Sequence, residues 1–165
     1  MNRDHYRNYG PYLTIAIYGT ARPKGSLRHI GKNRLVESSP DGPAWRTAVK
    51  DAARAEMARR VELYSIDNRF AQYPLDGPLC LDITITCNKP KSASKSKPSY
   101  PCTRSTGDID KLQRNIFDAL VDAGAIADDS RIVEVRARKC YPGQLPQALD
   151  TAGTHIQIYK VGESD

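Results

Sequence analysis

Four carboxylates stand near the two ends of one short segment, "GDIDKLQRNIFDALVDAGAIADDSRIVEVRARK": Asp108 and Asp110 open it, and Asp128 and Asp129 follow its apolar middle. Asp is a favoured helix N-cap, because its side-chain oxygen accepts a free backbone N–H. A carboxylate there also complements the helix dipole. Asp128-Asp129, after Gly124, reads equally as a polar turn. The other chemistry open to such a set is metal binding, since hard divalent cations take carboxylate oxygens. Spacing leaves both readings standing. A helix of about sixteen residues spans roughly 24 Å at ~1.5 Å per residue. The second pair therefore joins the first only if tertiary structure brings the far turn back.

The elements that must position these residues are legible as patterns. At 100° per residue, Ile109, Leu112, Ile116, Ala119, Leu120 and Ala123 share one arc, which predicts a helix from about Asp108 to Ala123, stopped by Gly124. Asp110, Arg114 and Asp118 share a second arc, with Lys111, Asn115 and Asp122 nearby. Phe117 and Val121 fall between the two, placed either to fill the core or to meet another subunit. An earlier helix is expected in "SPDGPAWRTAVKDAARAEMARRVE", with Pro43 near its start. Its apolar stripe is Trp45, Ala48, Val49 and Ala52, and Arg46, Lys50 and Arg54 form a basic row beside it. Strands are expected in "YLTIAIYGT", "PLCLDITITC", "SRIVEVRARKC" and "THIQIYKV" from their alternation. In the second of these, Leu79, Leu81, Ile83 and Ile85 face the core. "ARPKGSLRHIGKNRLV" reads as a loop or irregular hairpin, and residues 63–76 as irregular.

Between the second strand and the second helix lies "NKPKSASKSKPSYPCTRSTG", about twenty residues without apolar periodicity. A loop of that length in a compact domain is functional, disordered or a solvated linker. The order β-α-β-loop-α-β-β predicts an α/β domain, with helices flanking a mixed sheet. We expect one domain over residues 1–165, with its core at about 12–161 and flexible tails at 1–11 and 162–165.

The formal charge of +6 and pI near 9.2 favour an anionic partner, nucleic acid first. No run of 18 apolar residues exists to span a membrane, and "MNRDHYRNYGPY" lacks the apolar stretch of a secretory signal. Cys80, Cys87, Cys102 and Cys140 form no C-x-x-C pair, which argues against a zinc ribbon or a disulfide framework. Reduced thiols in a cytoplasmic protein are expected. His5, His29 and His155 have no metal-ligand spacing.

The acidic segment resembles the core motif of the RusA-like crossover-junction endodeoxyribonucleases. That pattern is roughly D-x-D-N-L-x-K, a D-A-L helix, then a hydrophobic-D-D-x-x-V-V strand. Asp108 and Asp110 match the first pair, Asp118-Ala119-Leu120 the helix, Asp128-Asp129 the second pair and Ile132-Val133 the strand. More loosely, "TARPKGSLR" resembles the family's basic stretch and "TCNKPKSASKSKP" its Pro-Lys loop. Two positions depart: Lys111 stands where the family has Asn, and Arg114 where it has Lys. Arg keeps the charge as a planar fork, so a charge-stabilising role survives and a proton-donating one does not carry over.

The resemblance implies a homodimer that cuts four-way (Holliday) junctions with Mg²⁺ or Mn²⁺. It implies Asp108, Asp110 and Asp129 as metal ligands, with Asp128 supporting the site. Arg114, one turn after Asp110, would reach the scissile phosphate or orient Asp110. Alternatively it pairs at i, i+4 with Asp110 and Asp118. Phosphate contacts would come from Arg22, Lys24, Arg28, Lys89, Lys91, Lys95, Lys97, Arg104 and Lys111. Other readings are a metal nuclease with less preference for branched DNA, and a non-catalytic basic DNA-binding protein. The family also suggests a bacterial or phage-infected host cell.

Overall fold

The computed structural model describes residues 5–25, 27–29, 35–37, 41–64, 68–94 and 96–162. Strand β1 (Leu13–Tyr18) leads to a small antiparallel hairpin, β2 (Leu27–His29) with β3 (Leu35–Glu37), and then to helix α1 (Gly42–Leu63). Strand β4 (Leu79–Thr86), helix α2 (Ile109–Ala123) and strands β5 (Ile132–Cys140) and β6 (Gly153–Lys160) follow. The main sheet has the order β1-β6-β4-β5. β4 and β5 are parallel, and both other pairings are antiparallel. The expected mixed sheet is therefore present, and α2 is the crossover between its two parallel strands. No helix among the described residues is long and apolar enough to cross a membrane.

Register explains the core. Leu13, Ile158 and Leu81 lie side by side across β1, β6 and β4, and Ile15, Ile156 and Ile83 form the next row. These side chains are essentially inaccessible to water, and both helices pack on them. α1 buries Trp45, Val49, Ala53 and Met57. Its stripe thus runs at i+4 further than Trp45–Ala52, and Ala48 and Ala52 are only half-buried. α2 buries Leu112, Ile116, Ala119, Leu120 and Ala123 as its periodicity requires. Phe117 and Val121 pack against the same core from its margin.

Outside that core the helices also meet through charges. Arg46 meets Asp122 at 2.7 Å and Asp118 at 3.5 Å, and Arg54 donates to the Asp122 carbonyl. The Arg46 guanidinium holds the Asp122 carboxyl below its usual range. The basic row of α1 is thus largely a contact with α2.

Residues 5–9 depart from the expected flexible tail, whose outermost residues, 1–4 and 163–165, lie outside the described ones. His5–Tyr9 forms a 3-10 turn. Tyr6 is buried beside Cys80 and Tyr159, and its hydroxyl donates to Glu134. Arg7 pairs with Asp82 of β4 and stacks over the Tyr6 and Tyr159 rings. One guanidinium with a carboxylate and two aromatic faces is enough to hold a short segment on a sheet. The far half of the 88–107 loop is also built. Gln144 donates to the Ser99 carbonyl, Thr106 bonds back within the loop, and Arg104–Thr106 forms a 3-10 turn.

Candidate active site

The approach to α2 is set by Gly107, at φ +78 and ψ 160. This positive φ suits glycine and turns the chain sharply out of the Arg104–Thr106 turn. Asp108 then takes the N-cap position with extended backbone, and its carbonyl accepts from the Leu112 N–H at 3.0 Å. Its side chain makes no capping hydrogen bond. The carboxylate is 65% exposed and lies 3.1 Å from the Lys111 ammonium. The capping explanation thus accounts for the backbone of Asp108 and not for its carboxylate. Asp110 lies in the first turn and is exposed.

Both carboxylates line one open groove of about 830 Å³. Its opposite wall is the end of β5, Ala137 to Lys139, and Tyr100 and Arg104 stand along its rim. Lys139 crosses to the near wall, where its ammonium donates to the Gly107 carbonyl at 2.7 Å and contacts the Thr106 hydroxyl at 3.1 Å.

The second carboxylate pair is elsewhere. Asp128 caps the 3-10 turn Asp129–Arg131, accepting from the Ser130 N–H at 2.9 Å. Bonds from the Ser130 hydroxyl and N–H hold its carboxyl below the usual range. Asp129 is exposed in that turn. The turn sits at the start of β5, tied down by Arg131 to Asp76 at 2.7 Å. α2 has 15 residues, or about 22 Å at ~1.5 Å each. β5 returns over a similar distance, ~23 Å from Ile132 to Lys139 at about 3.3 Å per residue. The groove is at one end of this out-and-back unit and Asp129 at the other. Within one chain the structure brings Asp108 and Asp110 together and leaves Asp128 and Asp129 apart. Among the described residues no group of three or more His, Cys, Asp or Glu is placed to hold a metal ion.

The cations divide into two sets. Several expected phosphate contacts already face a carboxylate: Arg22 lies 3.6 Å from Asp41, Lys24 lies 2.5 Å from Asp118, and Lys111 pairs with Asp108. Lys89, Lys91, Lys97 and Arg104 are exposed and make no ion pair among the described residues. Arg114 is also exposed and pairs with neither Asp110 nor Asp118, because Lys24 and Arg46 take Asp118. Lys95 and the side chain of Arg28 lie outside the described residues.

Two groove residues, Arg138 and Lys139, carry no signal in the sequence pattern. They end the alternating stretch "RIVEVRARKC", and only the parallel pairing of β5 with β4 carries them back to the start of α2. Asn115 is equally silent as a polar residue beside the apolar arc. It is 2% exposed, and its amide donates to the carbonyls of Arg22 and Gly42.

Chemically, the groove offers two hard oxygen donors beside exposed guanidinium and ammonium groups. Mg²⁺ is commonly held by one or two carboxylates, with water and substrate phosphate completing its shell. The donors present fit such an ion. The family model for endodeoxyribonuclease RusA matches residues 18–158. That span contains both carboxylate pairs, the groove and the 88–107 loop. No curated protein matches the chain.

Proposed function

The chain belongs to the RusA endodeoxyribonuclease family, and from that membership we propose that it resolves four-way DNA junctions by metal-dependent phosphodiester hydrolysis. The observation that carries this reading is the pairing of Asp108 and Asp110 in one open groove rimmed by cations. Bound at these two carboxylates, Mg²⁺ or Mn²⁺ would neutralise charge on the reacting phosphate and make an attacking water more acidic. Asp108 and Asp110 supply the oxygens that hold the ion. Arg104 and Arg138 meet phosphates flanking the cut and fix the strand in the groove. Arg114, exposed one turn beyond Asp110, reaches the scissile phosphate as a fixed positive charge. Lys89, Lys91 and Lys97 extend the basic surface toward the DNA arms.

The proposed assembly is a homodimer, and the position of the two acidic pairs supports it. Asp129 is about one helix length from the groove of its own chain. A two-fold axis that lays the α2–β5 units of two copies antiparallel reverses those ends. Asp129 of the partner subunit then completes the Asp108–Asp110 site, and Asp128 holds its turn. Each dimer carries two such sites, one for each strand to be cut.

The test is cleavage of a labelled four-way junction beside a linear duplex of the same arm sequence. Mg²⁺, Mn²⁺ and chelator are compared for wild type and Asp110→Asn. Paired metal-dependent nicks in the junction, absent in the variant, are expected. Equal cutting of both substrates would instead assign a nuclease without junction preference. Binding without cutting under every metal would assign a DNA-binding role to the basic surface alone.

A further inference from the structure

We propose that Lys139 is the positioning residue for the Asp108 carboxylate, acting through the Gly107 carbonyl; the inference rests on the reading of this groove as the hydrolytic site. Lys139 sits opposite Ile85 at the end of the parallel β4–β5 pairing, half-buried. Its ammonium makes no ion pair among the described residues, and it meets two neutral oxygens: the Gly107 carbonyl at 2.7 Å and the Thr106 hydroxyl at 3.1 Å. The first of these is decisive. The Gly107 carbonyl and the Asp108 N–H belong to one rigid peptide plane. Fixing the oxygen of that plane fixes the axis of the Asp108 N–Cα bond, and the bond from the Leu112 N–H to the Asp108 carbonyl sets the rotation about it, φ -79; together they set where the Cα–Cβ bond points. Gly107, at φ +78, has no Cβ to restrict the turn by itself, and glycine is the residue with most freedom to lose. A cation anchored on the rigid sheet supplies the restraint that glycine lacks. The Asp108 side chain has no capping bond and meets only the exposed Lys111 ammonium, so the Lys139 restraint on its backbone is the one anchored to the sheet.

The test compares Lys139→Met, which keeps the length and removes the donor, with Lys139→Arg, which keeps charge and donors. Two readouts are used: amide hydrogen exchange in metal-free protein, and the Mn²⁺ concentration that half-saturates junction cleavage, separated from kcat. Lys139→Met is expected to raise exchange across residues 103–112 while β1 and β6 stay protected. It raises the half-saturating Mn²⁺ about 10-fold, the size usual for losing a group that orients a metal ligand, with a smaller change in kcat. Lys139→Arg restores most of both. Unchanged exchange and unchanged metal requirement in Lys139→Met overturn the proposal. Loss of protection throughout the sheet also overturns it, in favour of a general structural role. A wild type that cleaves with no metal overturns the functional reading instead, and hydrogen exchange still decides whether Lys139 fixes the turn.

Discussion

Lys24 reaches the Asp118 carboxylate at 2.5 Å, and its backbone N–H donates to the Lys111 carbonyl at 3.1 Å. A residue whose type and setting suggested DNA contact is a strut between the segment after β1 and helix α2. This separates two kinds of cation by experiment. Replacing Lys89, Lys91 and Lys97 together should flatten the salt dependence of junction binding, by about 0.9 in log–log slope for each phosphate no longer neutralised. Lys24→Met should leave that slope unchanged and lower the thermal midpoint. A slope that responds to Lys24 and ignores the loop lysines would reverse the assignment.

Asn115 performs a related task inside the molecule. Its amide satisfies the carbonyls of Arg22 and Gly42 at 3.0 and 3.1 Å. It thereby joins three segments: α2, the start of α1 and the segment after β1. Asn115→Leu keeps the volume and strands both acceptors. The expected loss is about 2–3 kcal/mol of unfolding free energy, read from urea denaturation. A loss under roughly 0.5 kcal/mol, the usual level for surface changes, would mean that water replaces the amide.

The distance between the groove and Asp129 makes the two-copy site testable by mixing variants. Asp110→Asn and Asp129→Asn should each be inactive as homodimers. In a mixed dimer one site takes both substitutions and the other takes neither. After subunit exchange, nicking activity should return to about a quarter of the wild-type level, with random pairing and one good site per mixed dimer. A site complete within one chain would give no recovery.

His155 predicts an acid limit. It lies between Ala16 of β1 and Thr84 of β4 in the sheet register, and burial pushes its pKa below the ordinary 6.5. The folded state therefore favours neutral imidazole, and the unfolded chain takes up the proton first as pH falls. Stability from this group is complete above about pH 6.5 and declines as pH drops through the depressed folded value. Glu56 beside Arg59 and Asp122 beside Arg46 are carboxyls held below their usual range, so they titrate on the acid side of this window. The thermal midpoint of wild type should fall on going from neutral to mildly acidic buffer. His155→Gln should fall less, and equal slopes would remove His155 as the cause.

The sequence made some of this architecture plain and hid the rest for definite reasons. Leu79, Leu81, Ile83 and Ile85 and the α2 stripe ending at Gly124 are local patterns and lie in the core where periodicity put them, although β4 is central and its other face, with Cys80, Thr84 and Thr86, is buried too. The mixed sheet follows from the element order. Pairing across long separations is not written locally. Nothing in "RIVEVRARKC" says that Lys139 will reach Gly107, or that Asp118 will be taken by Lys24 and Arg46 in place of Arg114. Tyr6 and Arg7 look like a tail in the sequence because their partners, Glu134 and Asp82, lie 128 and 75 residues away. The carboxylates are visible as types. That one pair faces the groove and the other stands a helix length away needed the path of β5.

Helix α2 also acts as a ruler. With Asp108 and Asp110 at one end and Asp129 just past the other, its 15 residues would set the spacing between the two sites of the proposed dimer at about 22 Å. That is close to the width of a DNA duplex, so in that assembly the separation of the two nicks would follow the number of turns in one helix. Inserting a single turn would move the cutting points apart by ~5.4 Å while leaving every residue of the chemistry in place.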